Sequence, residues 1–184
     1  MTVDQSVLQW MLDHRASLLT DIMTVVTHSG GTAAVFAIVA VVTIMLLRRQ
    51  HRAEAVMVAG AMLSGWVVMS SLKLLFGRMR PPMSARLVEL DTYSFPSGHA
   101  MMTAILACVL GAVVVRFVAP GVRRTAPLVL LACYTLAVGT SRVYLGAHWL
   151  TDVLAGWVFG VVWAGLWIWA VRRRSAPVTR PKGV

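Results

Sequence analysis

His148 and Asp152 stand four residues apart, a spacing that puts two side chains on one face of a helix. A carboxylate that accepts a proton from one imidazole nitrogen leaves the other nitrogen free to act as a nucleophile. His99 has no carboxylate at that spacing and is expected to act as the general acid that protonates a leaving oxygen. Three cations accompany them, Lys73, Arg80 and Arg142, and Ser97 and Gly98 immediately precede His99. Lysine offers a point charge and arginine a bidentate fork, both suited to phosphoryl oxygens, and free N–H groups at the start of a helix add an anion site. Gly98 lets the backbone approach a ligand closely, and Pro96 fixes the chain just before the helix.

These residues must be held by membrane helices. The chain has 184 residues, 58% of them hydrophobic and 13% charged, a composition too apolar for an ordinary soluble domain. A single domain over residues 1–184 is expected, all-α, an integral membrane bundle of about six transmembrane helices. A bilayer core of about 30 Å needs roughly 20 helical residues. Apolar runs of that order cover Thr32 to Leu47, Glu54 to Phe76, His99 to Val118, Pro127 to Arg142 and His148 to Val171. A sixth segment, Val7 to Val26, has one apolar face interrupted by Asp13, Arg15 and Asp21, and reads either as a first span or as an interfacial helix. The N-terminus has no basic start or small-residue cleavage site, so the spans themselves are expected to direct the chain to the membrane.

Charge placement orients the bundle. The formal charge is +10, and eleven of the seventeen basic residues fall at Arg48, Arg49 and Arg52, at Arg116, Arg123 and Arg124, and in the tail at Arg172, Arg173, Arg174, Arg180 and Lys182. These clusters flank apolar segments, as the positive-inside rule expects of cytoplasmic loops, and leave no soluble basic surface for nucleic acid. Assigning them to the cytoplasm puts residues 77–98 and 144–147 outside and the C-terminus inside. Lys73, Arg80, His99, Arg142 and His148 then share the opposite, extracytoplasmic face, where cations need another reason to exist and a phosphate anion is the simplest one. A lone histidine or arginine at a membrane edge is ordinarily an anchoring residue, so the case rests on their coincidence at one depth.

Other features read as packing. Cys108 and Cys133 lie in apolar runs and are expected to be buried small hydrophobes, with no disulfide or metal role. Gly60 with Ser64, and Gly156 with Gly160, repeat at the spacing that lets helix backbones approach. Trp149, Trp167 and Trp169 read as interfacial anchors. Arg78, Arg86, Glu89, Asp91 and Tyr93 either face water or select a head group. His148 is the expected partner of Asp152, whose charge one turn inside a span is costly unless paired.

Three stretches carry a family resemblance. KLLFGRMRP (Lys73 to Pro81) has lysine, six residues, arginine and proline; PSGH spans Pro96 to His99; and SRVYLGAHWLTD (Ser141 to Asp152) has arginine, five residues, histidine, three residues and aspartate. The chain resembles the type 2 phosphatidic acid phosphatase (PAP2) superfamily over nearly its whole length, with no departure at a motif position. The resemblance implies a six-helix membrane bundle that hydrolyses a lipid phosphate through a phosphohistidine, without a metal or other cofactor. It implies His148 as nucleophile, Asp152 as its orienter, His99 as general acid, and Lys73, Arg80, Ser97, Gly98 and Arg142 as the phosphate cradle. The short loop between the first two motifs is similar to that of small bacterial enzymes acting on phosphatidylglycerophosphate or undecaprenyl pyrophosphate. A protein that binds or flips a phospholipid head group could use the same cations, but it would need no nucleophile with an orienting carboxylate. Vanadate haloperoxidases share such an anion site, but they are larger and soluble.

Overall fold

A computed structural model describes residues 1–174, and Arg180 and Lys182 of the basic tail lie outside them. The described chain is all-helical: α1 (Val3–Asp13), α2 (Ser17–Ser29), α3 (Thr32–Arg48), α4 (Arg52–Phe76), α5 (Gly98–Phe117), α6 (Val122–Tyr144) and α7 (Leu150–Arg174), with one short 3-10 turn at Met83–Ala85. Each of α4 to α7 is long and apolar enough to cross a bilayer. The helix α3 has 17 residues, about 26 Å of rise, and falls short alone. It continues α2 across a 47° bend, and the pair counts as a fifth candidate span. A count of six crossings does not follow from these lengths.

The single helix anticipated over Val7 to Val26 does not form; the chain breaks between α1 and α2 because Arg15 is pulled out of line. Its guanidinium donates to the carbonyls of Ala85 at 2.7 Å and Tyr144 at 2.9 Å. The Tyr144 hydroxyl in turn lies 3.2 Å from the Ala16 amide. From there α2 runs antiparallel to α6, and the Tyr134 hydroxyl reaches the Ser29 carbonyl at 2.8 Å.

The helix α5 is central, packed against α3, α4, α6 and α7. Its residues Met101, Ile105 and Val109 are fully enclosed with Val58, Ala61 and Met62 of α4. Lipid tails are as apolar as these side chains, so close packing rather than exclusion from water holds such helices together. Gly156 and Gly160 of α7 permit it: a Cβ on Gly156 would lie 2.8 Å from the Ser97 carbonyl oxygen, and one on Gly160 would lie 2.6 Å from that of Met101. Gly60 instead makes room for the Trp167 ring. Trp167 is therefore not an interfacial anchor: it lies half-buried against α4, and its indole donates to Ser64 Oγ at 3.0 Å. Trp169 is 54% exposed, as an anchor requires, whereas Cys133 is exposed on α6 rather than buried.

Candidate active site

The two loops at one end of the bundle are tied together before they hold any functional group. Gly77 ends α4 in the left-handed region at φ 53°, a conformation that a residue without Cβ adopts freely. The loop that follows is fixed to the α6–α7 turn by a hydrogen bond from the Leu87 amide to the Leu145 carbonyl, 3.0 Å long. In that turn Gly146 has φ 68°, and a Cβ there would run into the Ala85 carbonyl. The Ser97 amide closes the frame by donating to the Asp152 carbonyl at 3.0 Å, which places the start of α5 beside the first turn of α7.

His148 precedes α7 rather than opening it, since the helix begins at Leu150. The turn nevertheless returns its ring to the carboxylate, with Nδ1 3.5 Å from Asp152 Oδ2 and 3.4 Å from Ser94 Oγ. Ser94 donates its own proton to Asp152 Oδ2 at 2.5 Å, so both neighbours of Nδ1 are acceptors. On the opposite side of the ring, Arg80 Nη1 lies 3.2 Å from Nε2. A guanidinium can only donate, so Nε2 must accept and the proton belongs on Nδ1. Electrostatics thus select the tautomer in which Nε2 carries the free lone pair. His148 is 2% and Asp152 0% exposed.

Lys73, Arg80, Gly98, His99, Arg142 and His148 line one cavity of about 270 Å³. Arg80 is braced by the Ala147 and Thr92 carbonyls, each at 2.6 Å, and Lys73 Nζ by the Tyr93 carbonyl at 2.6 Å. Burial, and then Arg86, lower the pKa of Arg80 to about 10, with Asp152 acting the other way. Arg142 Nη1 donates to Thr27 Oγ1 at 2.7 Å, but its Nε and the buried Ser97 Oγ have no hydrogen-bond partner among the described residues. An unsatisfied buried polar group costs about 1–3 kcal/mol, and an anion with several lone pairs would satisfy both. All eight expected site residues therefore meet at one end of the bundle, six lining the cavity, with Ser97 next to Gly98 and Asp152 against His148.

The nearest charge to Asp152 is not His148. Arg78 Nη1 lies 2.5 Å from Asp152 Oδ1, and Arg78 Nη2 lies 2.7 Å from Asp4 Oδ2, so Arg78 joins two carboxylates while a third of its side chain stays exposed. Sequence spacing offered no sign of Asp4, which is brought in by α1, or of Ser94. Arg86 donates to the Pro81 carbonyl at 2.6 Å, Glu89 is exposed, and Tyr93 contributes its carbonyl. Arg86 and Asp91 line a second cavity of about 460 Å³ that shares Lys73, Arg80 and Thr92 with the first and is bordered by exposed Leu74 and Met79.

Residues 54–176 match the family model described as the PAP2 superfamily. The phosphatidylglycerophosphatase B of Bacillus subtilis is 29% identical over 150 residues, which is 80% of this chain and 73% of that protein. The decaprenylphosphoryl-5-phosphoribose phosphatase of Mycobacterium tuberculosis is 32% identical over 137 residues, 73% of this chain and 70% of that one. The solved structure of a transmembrane PAP2-type phosphatidylglycerolphosphate phosphatase from Bacillus subtilis superposes with a TM-score of 0.85 at 26% identity, covering 96% of this chain and 87% of that one. With most of its length and all three motif-bearing helix ends inside the match, the chain belongs to the PAP2 superfamily.

Proposed function

We propose that this integral membrane protein hydrolyses the terminal phosphate of a lipid phosphate through a phosphohistidine on His148. The observation that carries the reading is the polarised imidazole, with Nδ1 turned to Asp152 and Ser94 and Nε2 turned to Arg80 and the cavity. As the phosphoryl group enters, Arg80 exchanges Nε2 for a phosphoryl oxygen. The Nε2 lone pair attacks phosphorus, the ester P–O bond breaks, and His99 gives its proton to the leaving oxygen. Water then attacks the phosphorus, the P–N bond breaks, His99 takes the water's proton, and inorganic phosphate leaves. Asp152 holds the ring and stabilises its positive charge while it carries the phosphoryl group. Lys73, Arg80, Arg142, Ser97 and the amides at Gly98 cradle the three phosphoryl oxygens as charge develops.

The cavity opens, in this reading, on the extracytoplasmic face. Arg48, Arg49 and Arg52, Arg116, Arg123 and Arg124, and Arg172 to Arg174 all belong to the other ends of the same helices, as the positive-inside rule requires of a cytoplasmic side. The chain then crosses the membrane five times, with α2 and α3 as one bent span, α1 lying outside and the C-terminus inside. Lipids of the phosphatidylglycerophosphate or prenyl phosphate type, the substrates in the relatives' names, fit a site whose second cavity leads past Leu74 and Met79 to the lipid-facing surface. The test is phosphate release by detergent-purified protein in EDTA from phosphatidylglycerophosphate, undecaprenyl diphosphate and phosphatidic acid. Turnover that His148→Ala abolishes supports the reading; undiminished turnover in that variant removes the nucleophile.

A further inference from the structure

The helix α1 is too short to cross a membrane: its 11 residues give about 16 Å of rise. Its N-terminus is well made, with Thr2 and Gln5 forming a reciprocal capping box. Val3 and Trp10 are nonetheless 68% and 55% exposed, and its only buried residues are Leu8 and Asp4. Val7 and Met11 pack over Ala100, Val143 and Val153, which adjoin His99, Arg142 and Asp152 in sequence. The helix therefore lies across the three helix ends that carry the proposed chemistry, with a buried carboxylate facing them.

That carboxylate has two tasks. Asp4 Oδ1 accepts from the Thr151 amide at 2.9 Å, and Oδ2 accepts from Thr151 Oγ1 at 2.6 Å. The Thr151 amide lies in the first turn of α7, where N–H groups have no partner within the helix, so α1 supplies an acceptor for it. Asp4 Oδ2 also holds Arg78 Nη2 at 2.7 Å, while Arg78 Nη1 bonds Thr151 Oγ1 at 2.7 Å and Asp152 Oδ1 at 2.5 Å. The remaining oxygen of Asp152, Oδ2, is left for Ser94, the Trp149 amide and His148. Burial raises the pKa of Asp4, but the hydrogen bonds from Thr151 and Arg78 outweigh it and hold the carboxyl below its ordinary value, in keeping with a charged clamp.

We propose that Asp4 and Arg78 are positioning residues for the catalytic carboxylate: Asp4 locks Arg78 onto the first turn of α7, and Arg78 fixes Asp152 Oδ1 so that Oδ2 faces His148. The proposal rests on the reading of His148 and Asp152 as nucleophile and orienter. Neither Asp4 nor Arg78 occupies a motif position. Because Arg78 also lines the second cavity, a role in substrate binding is the competing account, and the two differ in which kinetic constant changes.

The experiment compares wild type, Arg78→Ala, Arg78→Lys and Asp4→Asn as full-length protein in detergent, using whichever of phosphatidylglycerophosphate, undecaprenyl diphosphate and phosphatidic acid the wild type turns over fastest. Misplacing a reacting group by about 1 Å can cost as much as about 100-fold. Arg78→Ala is expected to lose kcat on that scale with KM within about threefold of wild type. Arg78→Lys restores part of kcat, Asp4→Asn shows a smaller loss of the same kind, and millimolar guanidinium partly rescues Arg78→Ala. Raised KM at unchanged kcat assigns Arg78 to substrate binding and overturns the proposal, as does wild-type behaviour in both Arg78→Ala and Asp4→Asn. If Arg78→Ala does not fold, as judged by its melting curve, Arg78→Lys and Asp4→Asn carry the same kcat test. A wild type that turns over none of the three lipids overturns the phosphatase reading itself, a result distinct from an active wild type with unimpaired variants.

Discussion

Arg80 Nη1 lies 3.2 Å from His148 Nε2, on the side of the imidazole away from Asp152. A donor on one ring nitrogen and acceptors on the other leave one arrangement of the proton, and that arrangement exposes a lone pair to the cavity. The same guanidinium is buried against three backbone carbonyls and Thr92 Oγ1, which fix its plane. It therefore sets the tautomer of the ring it faces and, in the proposed mechanism, would offer a fork to the phosphoryl group.

Arg80→Lys should separate those contributions. A lysine keeps the charge but cannot bridge Thr92, Ala147 and a phosphoryl oxygen together. Hydrogen bonds to charged groups contribute about 1.5–3 kcal/mol, so kcat/KM should fall by about 10- to 100-fold. Phosphate release measured across substrate concentrations checks this, and an unchanged kcat/KM would show that charge alone suffices.

Asp152→Asn keeps the shape and removes the charge. The amide has one acceptor oxygen, so it can accept from Arg78 or from the Ser94 and Trp149 side but not from both, and it would no longer stabilise a positive imidazole; in a hydrolase triad the equivalent change costs about 10⁴-fold in kcat. A loss of at least about 100-fold in kcat, in a variant that still gives a cooperative melting curve, is the expected result. Wild-type kcat would remove the carboxylate from the mechanism.

Gly156→Ala tests the packing that positions Ser97. Alanine ordinarily stabilises a helix interior by about 1 kcal/mol over glycine. Here the new Cβ would meet the Ser97 carbonyl oxygen at 2.8 Å, and overpacking of that kind costs about 1–3 kcal/mol. The second effect is larger, so both the melting temperature and kcat should drop. A stabilised, fully active variant would contradict the close α5–α7 approach.

The Asp4 clamp predicts a pH dependence with a definite sign. Its folded-state pKa lies below the ordinary 3.8 despite burial, because Thr151 and Arg78 bond the charged form. The stability it contributes is present above pH 3.8 and is lost as pH falls through the lower, folded-state value. The difference in melting temperature between wild type and Asp4→Asn should be constant at neutral and mildly acidic pH and shrink towards zero below 3.8. A difference that grows on acidification would contradict the assignment.

Much of this site was legible because its parts are local. Lys73 and Arg80 lie around the end of α4, Ser97 to His99 at the start of α5, and Arg142 to Asp152 around the α6–α7 turn, so run length and the alternation of antiparallel helices placed them at one side of the bundle. Apolar run length found α4 to α7 because lipid demands continuous helices of a fixed length. The contacts that spacing could not reveal are the ones between distant segments. Arg78 meets Asp4 across 74 positions and Asp4 meets Thr151 across 147. The break between α1 and α2 was hidden for the same reason, since Arg15 is drawn to carbonyls of Ala85 and Tyr144 that no local pattern announces. Trp167 was misplaced because an indole at a helix end suits either the lipid interface or a gap left by a glycine, and only the position of Gly60 decides.

The central claim is that His148 becomes phosphorylated. Wild-type protein mixed briefly with a terminally ³²P-labelled lipid phosphate and quenched in alkali should carry label that is stable in base, released by acid, and located by mass spectrometry on His148. His148→Ala should carry none and release no phosphate. Label on another residue, or turnover by His148→Ala, would contradict the account.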